Sequence, residues 1–143
     1  MNANTDAEIR HIYERWHATV VAGDIDGLMA LYAEDAVFET PLVLTVLQKT
    51  EGVLRGKAAI RSFFEVGLGH RKSGLGRWYR TGTFFSNGRQ LVWEYPRETP
   101  QGDQVDLVEV MDLAHGLIAH HRVYWGWMGY KGLMAGMQKE TQS

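Results

Sequence analysis

The chain has 143 residues, 45% hydrophobic and 22% charged, which suits one soluble globular domain and is unlike disordered or collagen-like chains. Its formal net charge is -2 with no long like-charge block, so the electrostatic footprint of a nucleic-acid binder is absent. With no cysteine, disulfides, thiol nucleophiles and thiolate metal sites are excluded.

The stretch MNANTDAEIRHIYERW has no apolar signal-peptide core, and nowhere do the roughly 18 apolar residues of a membrane span run together. A cytoplasmic protein with no membrane partner is expected. Thr5 and Glu8 stand at capping-box spacing, and Ile9, Ile12, Tyr13, Trp16 and Val20 recur at helical intervals, predicting a first helix to about Ala22. Gly23 suits its end, Asp24 can cap the next start, and Leu28, Leu31 and Tyr32 give a short second helix one apolar stripe. Ala36 to Thr40 reads as a short strand halted by Pro41, and Lys57 to Val66 as a third helix with Ile60, Phe63 and Phe64 inward. Between them PLVLTVLQKTEGVLR, residues 41–55, is unusually apolar for a loop. An added strand on the core, a dimer contact and a lid over a pocket mouth all suit it.

After Gly76 the character changes. Arg77 to Ser86 and Arg89 to Glu98 are rich in aromatic and β-branched residues and flank Asn87-Gly88, a strong hairpin signal, so they should pair antiparallel. A second hairpin, Gln104 to Met111 with Leu117 to Trp127, turns near Gly116. The Gly- and Met-rich tail, 128–143, has room for a last helix. Helices first and strands later predict a single α+β domain over 1–143, with its core at about 7–127 and helices on one face of an antiparallel sheet.

The segments AGDIDGLMALYAEDAVFETP, GKAAIRSFF, VDLVEV and HHRVYWGW, in this order and spacing, resemble the SnoaL-like branch of the nuclear transport factor 2-like superfamily. The resemblance implies a cone-shaped α+β barrel, three N-terminal helices packed on a curved mixed/antiparallel sheet. It also implies a pocket between the layers for a small apolar molecule, and a homodimer through the sheet's outer face. It implies no single reaction, because the superfamily holds isomerases, cyclases, dehydratases, epoxide hydrolases and non-catalytic members. Aligned through Ala22-Gly23-Asp24 with the ketosteroid isomerase branch, the first-helix tyrosine falls on Trp16, a supporting tyrosine on Tyr32 and a second pocket tyrosine on Phe64. The base aspartate falls on Thr40 and the oxyanion-hole aspartate on Asp106. A threonine hydroxyl abstracts no proton near neutral pH without another base, so steroid isomerisation is disfavoured.

If Asp106 faces the pocket, strand alternation sets Val108 and Val110 beside it and Leu107, Glu109 and Met111 on the other face. With Val110 paired to Leu117, Asp106 stands opposite His121, and Val123 and Trp125 follow on the same inner face. The carboxylate would then fix the imidazole tautomer, making Asp106 and His121 the candidate catalytic pair for proton transfer. The same pair would serve equally well as a satisfied buried contact that sets strand register. Trp16, Tyr32, Thr40, Phe64, Val108, Val123 and Trp125 are the candidate substrate-binding residues, with core packing as the alternative. Glu109, Arg122 and Tyr124 are expected on the outer face, as dimer contacts or solvated surface. Neighbouring histidines on a strand point to opposite faces and no His-x-x-x-His occurs, so no metal and no cofactor are expected.

Two functions remain open. One is a cofactor-independent acid/base enzyme of cyclase, isomerase or dehydratase type, acting on an apolar cyclic or polyketide-like compound. The other is a non-catalytic small-ligand-binding or dimeric interaction domain.

Overall fold

Helix α1 (Asp6–Ala22) starts at Thr5, whose hydroxyl accepts from the Glu8 N–H at 3.1 Å while the Glu8 carboxylate accepts from the Thr5 N–H at 3.0 Å. A computed structural model describes residues 3–69, 83–94, 97–98, 104–105, 107–127, 129–131 and 134–135 of the chain. Gly23 ends α1 at φ 70°, the left-handed region that a Cβ disfavours. Asp24 then caps α2 (Ile25–Met29), accepting from the Gly27 N–H at 2.9 Å. Tyr32, expected at the end of that helix, instead opens strand β1 (Tyr32–Glu39). The Ile118 N–H donates to the Leu31 carbonyl at 2.8 Å, drawing the chain out of the helix and into the sheet.

The apolar segment after β1 divides in two. Its first half is a single helical turn, α3 (Leu42–Val46), with Val43 buried; its second half is the short strand β2 (Val53–Arg55), paired antiparallel with β1. The expected third helix follows as α4 (Lys57–Gly69) and buries Ile60, Phe63 and Phe64. Phe38 of β1 meets Phe63 and Phe64 at centroid separations of 5.1 and 5.5 Å. Burying each such ring is worth roughly 1.5–3 kcal/mol, so this cluster pins α4 to the sheet.

Strands β3 (Phe85–Ser86) and β4 (Gln90–Glu94) form the expected hairpin around Asn87-Gly88, while the stretch from Arg77 to Gly82 lies outside the described residues. Strands β5 (Arg97–Glu98) and β6 (Gln104–Val105) pair with each other as a separate ribbon instead of lengthening their neighbours. Strands β7 (Leu107–Ala114) and β8 (Leu117–Trp125) complete a six-stranded sheet in the order β2-β1-β8-β7-β4-β3. β1 runs parallel to β8 and every other neighbouring pair in this sheet is antiparallel, so the sheet is mixed. No helix among the described residues is long and apolar enough to cross a membrane.

The register between β7 and β8 decides which side chains share the inner face. His115 and Gly116, at φ 54° and 74°, make a two-residue turn, and Ala114 pairs with Leu117. The expected pairing of Val110 with Leu117 is therefore wrong: the tight turn lets β7 run four residues further before the chain reverses. Beyond the Leu113–Ile118 pair the register slips by one at Ala119, so that Asp112, Met111 and Glu109 pair with His120, His121 and Val123. Leu107, Glu109, Met111 and Leu113 are consequently the buried face of β7. Val108, Val110 and Asp112, only half-buried, lie on the other.

Candidate functional site

Four side chains from four elements meet between the helices and the sheet. Trp16 comes from the apolar stripe of α1, Tyr32 from the first position of β1, Glu109 from the inner face of β7 and His121 from β8 just past the bulge. The Trp16 Nε1–H donates to the Tyr32 hydroxyl oxygen at 3.1 Å. That hydroxyl lies 2.9 Å from His121 Nδ1, and His121 Nε2 lies 2.6 Å from Glu109 Oε2. The chain of contacts is deeply enclosed: Tyr32 and His121 are 0% exposed, Glu109 2% and Trp16 5%.

Aromatic rings box the imidazole. Phe38 stands 4.8 Å from it, Trp16 meets it edge-on at 5.7 Å, and Trp16 in turn meets Trp93 at 5.7 Å. In such surroundings a carboxylate needs a hydrogen-bond partner, which His121 provides. Burial also pushes the Tyr32 phenol far above its usual range, so it is an O–H donor at neutral pH.

The structure brings together some of the residues expected at a site and separates others. Trp16, Tyr32, Phe64 and His121 are buried between the layers, and Val123 and Trp125 lie half-buried on the same inner face. Thr40 is buried just beyond β1, where its hydroxyl accepts from the Leu42 N–H at 3.3 Å and from the Trp125 Nε1–H at 3.4 Å. Those contacts tie the start of α3 to the end of β8. Val108 falls on the outer face, because Leu107, Glu109, Met111 and Leu113 take the buried face of β7. Asp106 lies outside the described residues, and the carboxylate facing His121 is that of Glu109.

Glu109, expected outward, is thus the residue that sequence reasoning missed. A signal was present: the bulky Leu107, Met111 and Leu113 share its parity, whereas Asp112 shares that of Val108 and Val110. His120, adjacent to His121, points the opposite way and pairs with Glu39 on the outer face, as strand alternation requires. Beside it the Arg122 guanidinium forks onto Asp112 at 2.7 and 3.0 Å. Among the described residues no three His, Asp or Glu side chains converge as a metal site.

Val123, which pairs directly across from Glu109, also lines a hollow of about 370 Å³ with Thr40, Pro41, Leu44, Tyr124 and the charged Glu39 and Arg122. The hollow opens where β1 ends and β8 continues past it.

The SnoaL-like domain family matches residues 13–121, most of the chain. The protein belongs to this family. Its SnoaL-like fold is similar to that of a SnoaL-like protein of unknown function from Burkholderia thailandensis, at 16% identity and a TM-score of 0.70, covering 87% of this chain and 99% of that one. An NTF2-like protein from Anabaena variabilis is similar at 18% identity and a TM-score of 0.68, covering 85% of this chain and 88% of its own. The epoxide hydrolase/cyclase-like enzyme SalBIII of salinomycin pyran ring formation is similar at 22% identity and a TM-score of 0.63, covering 86% and 94%. These likenesses establish the SnoaL-like architecture and leave its chemistry to the residues of this chain.

Proposed function

We propose that this SnoaL-like protein is a cytoplasmic, cofactor-independent acid/base enzyme of cyclase, isomerase or dehydratase type, acting on an apolar cyclic or polyketide-like compound. Glu109 and His121 exchange the proton. The observation that carries this reading is an ionisable pair, side chains 0% and 3% exposed, set among aromatic rings. Replacing such a pair by apolar residues of similar volume is often neutral or stabilising, so stability alone does not account for it. Among the described residues Glu109 is hydrogen-bonded through Oε2 alone, to His121, leaving Oε1 to take a proton from carbon. This reading requires a ligand to enter past Val123 from the hollow and to part the packed rings of Trp16, Tyr32 and Phe64, because Glu109 and His121 are themselves enclosed. SalBIII supplies a precedent for ring-forming chemistry on this fold.

Incubating the protein in D2O with cyclic enones and hydroxyketones, followed by proton NMR, reads exchange at the carbon beside the carbonyl. Faster exchange with the wild type, lost in Glu109→Gln, is expected; equal exchange in both proteins would remove Glu109 from the mechanism. A second reading, binding without turnover, is favoured by one observation: both ring nitrogens of His121 are already engaged. It calls for compounds that raise the melting temperature yet show no exchange at any pH. A homodimer through the outer sheet face belongs to the same proposal, supported by the exposed Phe85 and Tyr124 beside Val92, Val108 and Val110. Tyr124→Glu should then yield a monomer by light scattering.

A further inference from the structure

The buried chain of hydrogen bonds has a direction, set by what each group is able to donate. An indole N–H only donates, and that of Trp16 donates to the Tyr32 oxygen. The Tyr32 hydroxyl has one other partner among the described residues, His121 Nδ1 at 2.9 Å, and the side chain is fully enclosed. Its proton therefore has a single acceptor, and a buried O–H left without one is unfavourable. This requires Nδ1 to be bare. The ring's proton then sits on Nε2 and is donated to Glu109 Oε2 at 2.6 Å, and a proton on Oε1 would find no acceptor among the described residues, which favours the carboxylate form of Glu109.

We propose that Tyr32, oriented by Trp16, is a positioning residue that bars a proton from His121 Nδ1, so that the His121–Glu109 pair holds one proton, on Nε2, and Glu109 stands as the base. Only the last clause, the use of Glu109 as a base, rests on the acid/base reading above. Protonating Nδ1 would make the Tyr32 oxygen accept from both Trp16 and His121 and strand its own O–H. The titratable groups that meet His121 among the described residues are Tyr32 from β1 and Glu109 from β7. The rings packed on it from α1 and β1, Trp16 and Phe38, do not titrate. Glu109 itself already favours a proton on Nε2, so what Tyr32 adds is the exclusion of a second proton.

Nitrogen-15 NMR of the histidine ring in the full chain at neutral pH tests this without substrate or turnover. A strongly deshielded, bare Nδ1 and a protonated Nε2 are expected in the wild type. Glu109→Gln, whose amide oxygen still accepts from Nε2–H, should leave both signals in those positions. Tyr32→Phe, which removes the O–H donated to Nδ1 and offers no acceptor to an Nδ1–H, should move the Nδ1 signal further from the protonated position. A protonated Nδ1 in the wild type or in Glu109→Gln, or an Nδ1 signal unmoved in Tyr32→Phe, overturns the proposal. Should Tyr32→Phe fail to fold, the other two spectra decide it. A bare Nδ1 together with no carbon-acid exchange keeps the lock and rejects the enzyme. Glu109-dependent exchange with a protonated Nδ1 does the reverse.

Discussion

Replacing Glu109 by alanine and by glutamine separates the worth of the His121–Glu109 contact from the worth of the side chain's bulk. In Glu109→Ala the His121 Nε2–H, now 2.6 Å from an acceptor, is left with none at a fully buried position, and the space of the removed carboxylate stays unfilled. Leaving a buried neutral donor without an acceptor costs about 1–3 kcal/mol, and the unfilled volume adds about 1 kcal/mol. Glu109→Gln keeps an oxygen of the same reach, exchanging a charged acceptor for a neutral one, for a loss of about 1 kcal/mol. The two variants should therefore differ by roughly 1–3 kcal/mol. Urea unfolding followed by tryptophan fluorescence reads this directly: taking a slope of about 2 kcal/mol per molar, the midpoints should lie about 0.5–1.5 M apart, at equal slope. Midpoints within about 0.2 M of each other would refute the claim that the stranded N–H is the dominant cost.

Asn4 joins both hairpin turns, its Nδ2–H donating to the Gly88 carbonyl at 2.9 Å and to the Leu113 carbonyl at 3.3 Å while its Oδ1 accepts from the Gly116 N–H at 2.7 Å. Asn4→Ala should cost about 2–3 kcal/mol, at roughly 1 kcal/mol for each bond lost. Calorimetry should show a melting temperature lower by roughly 5–10 °C. In Gly116→Ala the new Cβ would overlap Glu8 Oε2, at a backbone φ of 74°. Expulsion of Glu8 from its capping box and the left-handed strain together should cost about 1–3 kcal/mol, seen as faster amide exchange in the first turn of α1. The Arg122 guanidinium, through its hydrogen bonds, holds the Asp112 carboxyl below its ordinary value of 3.8. Because the folded value is the lower one, this stabilisation is whole above that pH and is lost as pH falls through the folded value. Asp112→Asn should flatten the acid-side decline in stability below about pH 4, and an unaltered slope would dismiss the pair as a contributor.

Much of the helical layer was legible in the sequence, because its determinants are local. Thr5, Glu8 and Gly23 bound α1, Asp24 starts α2, and the spacing of Ile60, Phe63 and Phe64 turns α4 toward the sheet, each through contacts within one or two turns of helix. The Asn87-Gly88 hairpin was legible for the same reason, and so was the rule that His120 and His121 face opposite ways. Which of them faces inward, and which carboxylate it meets, was not. Local propensity does not distinguish Tyr32 as the last residue of a helical stripe from Tyr32 as the first of a strand paired to β8, more than eighty positions away.

The site itself was decided by a single bulge. Extending the Ala114–Leu117 register without interruption would set His121 opposite Val110; the slip at Ala119 sets it opposite Met111 and on the face of Glu109. Side chains on a strand repeat every two residues, so one inserted residue exchanges the two faces. Ala119 carries no mark that would locate such an insertion in the sequence. Composition, caps and periodicity determine by themselves that this chain places helices on a sheet and a histidine in β8. Only the packing of α1, β1, β7 and β8 around one another selects Glu109 as its partner, because strand register follows from which complete set of side chains is buried together.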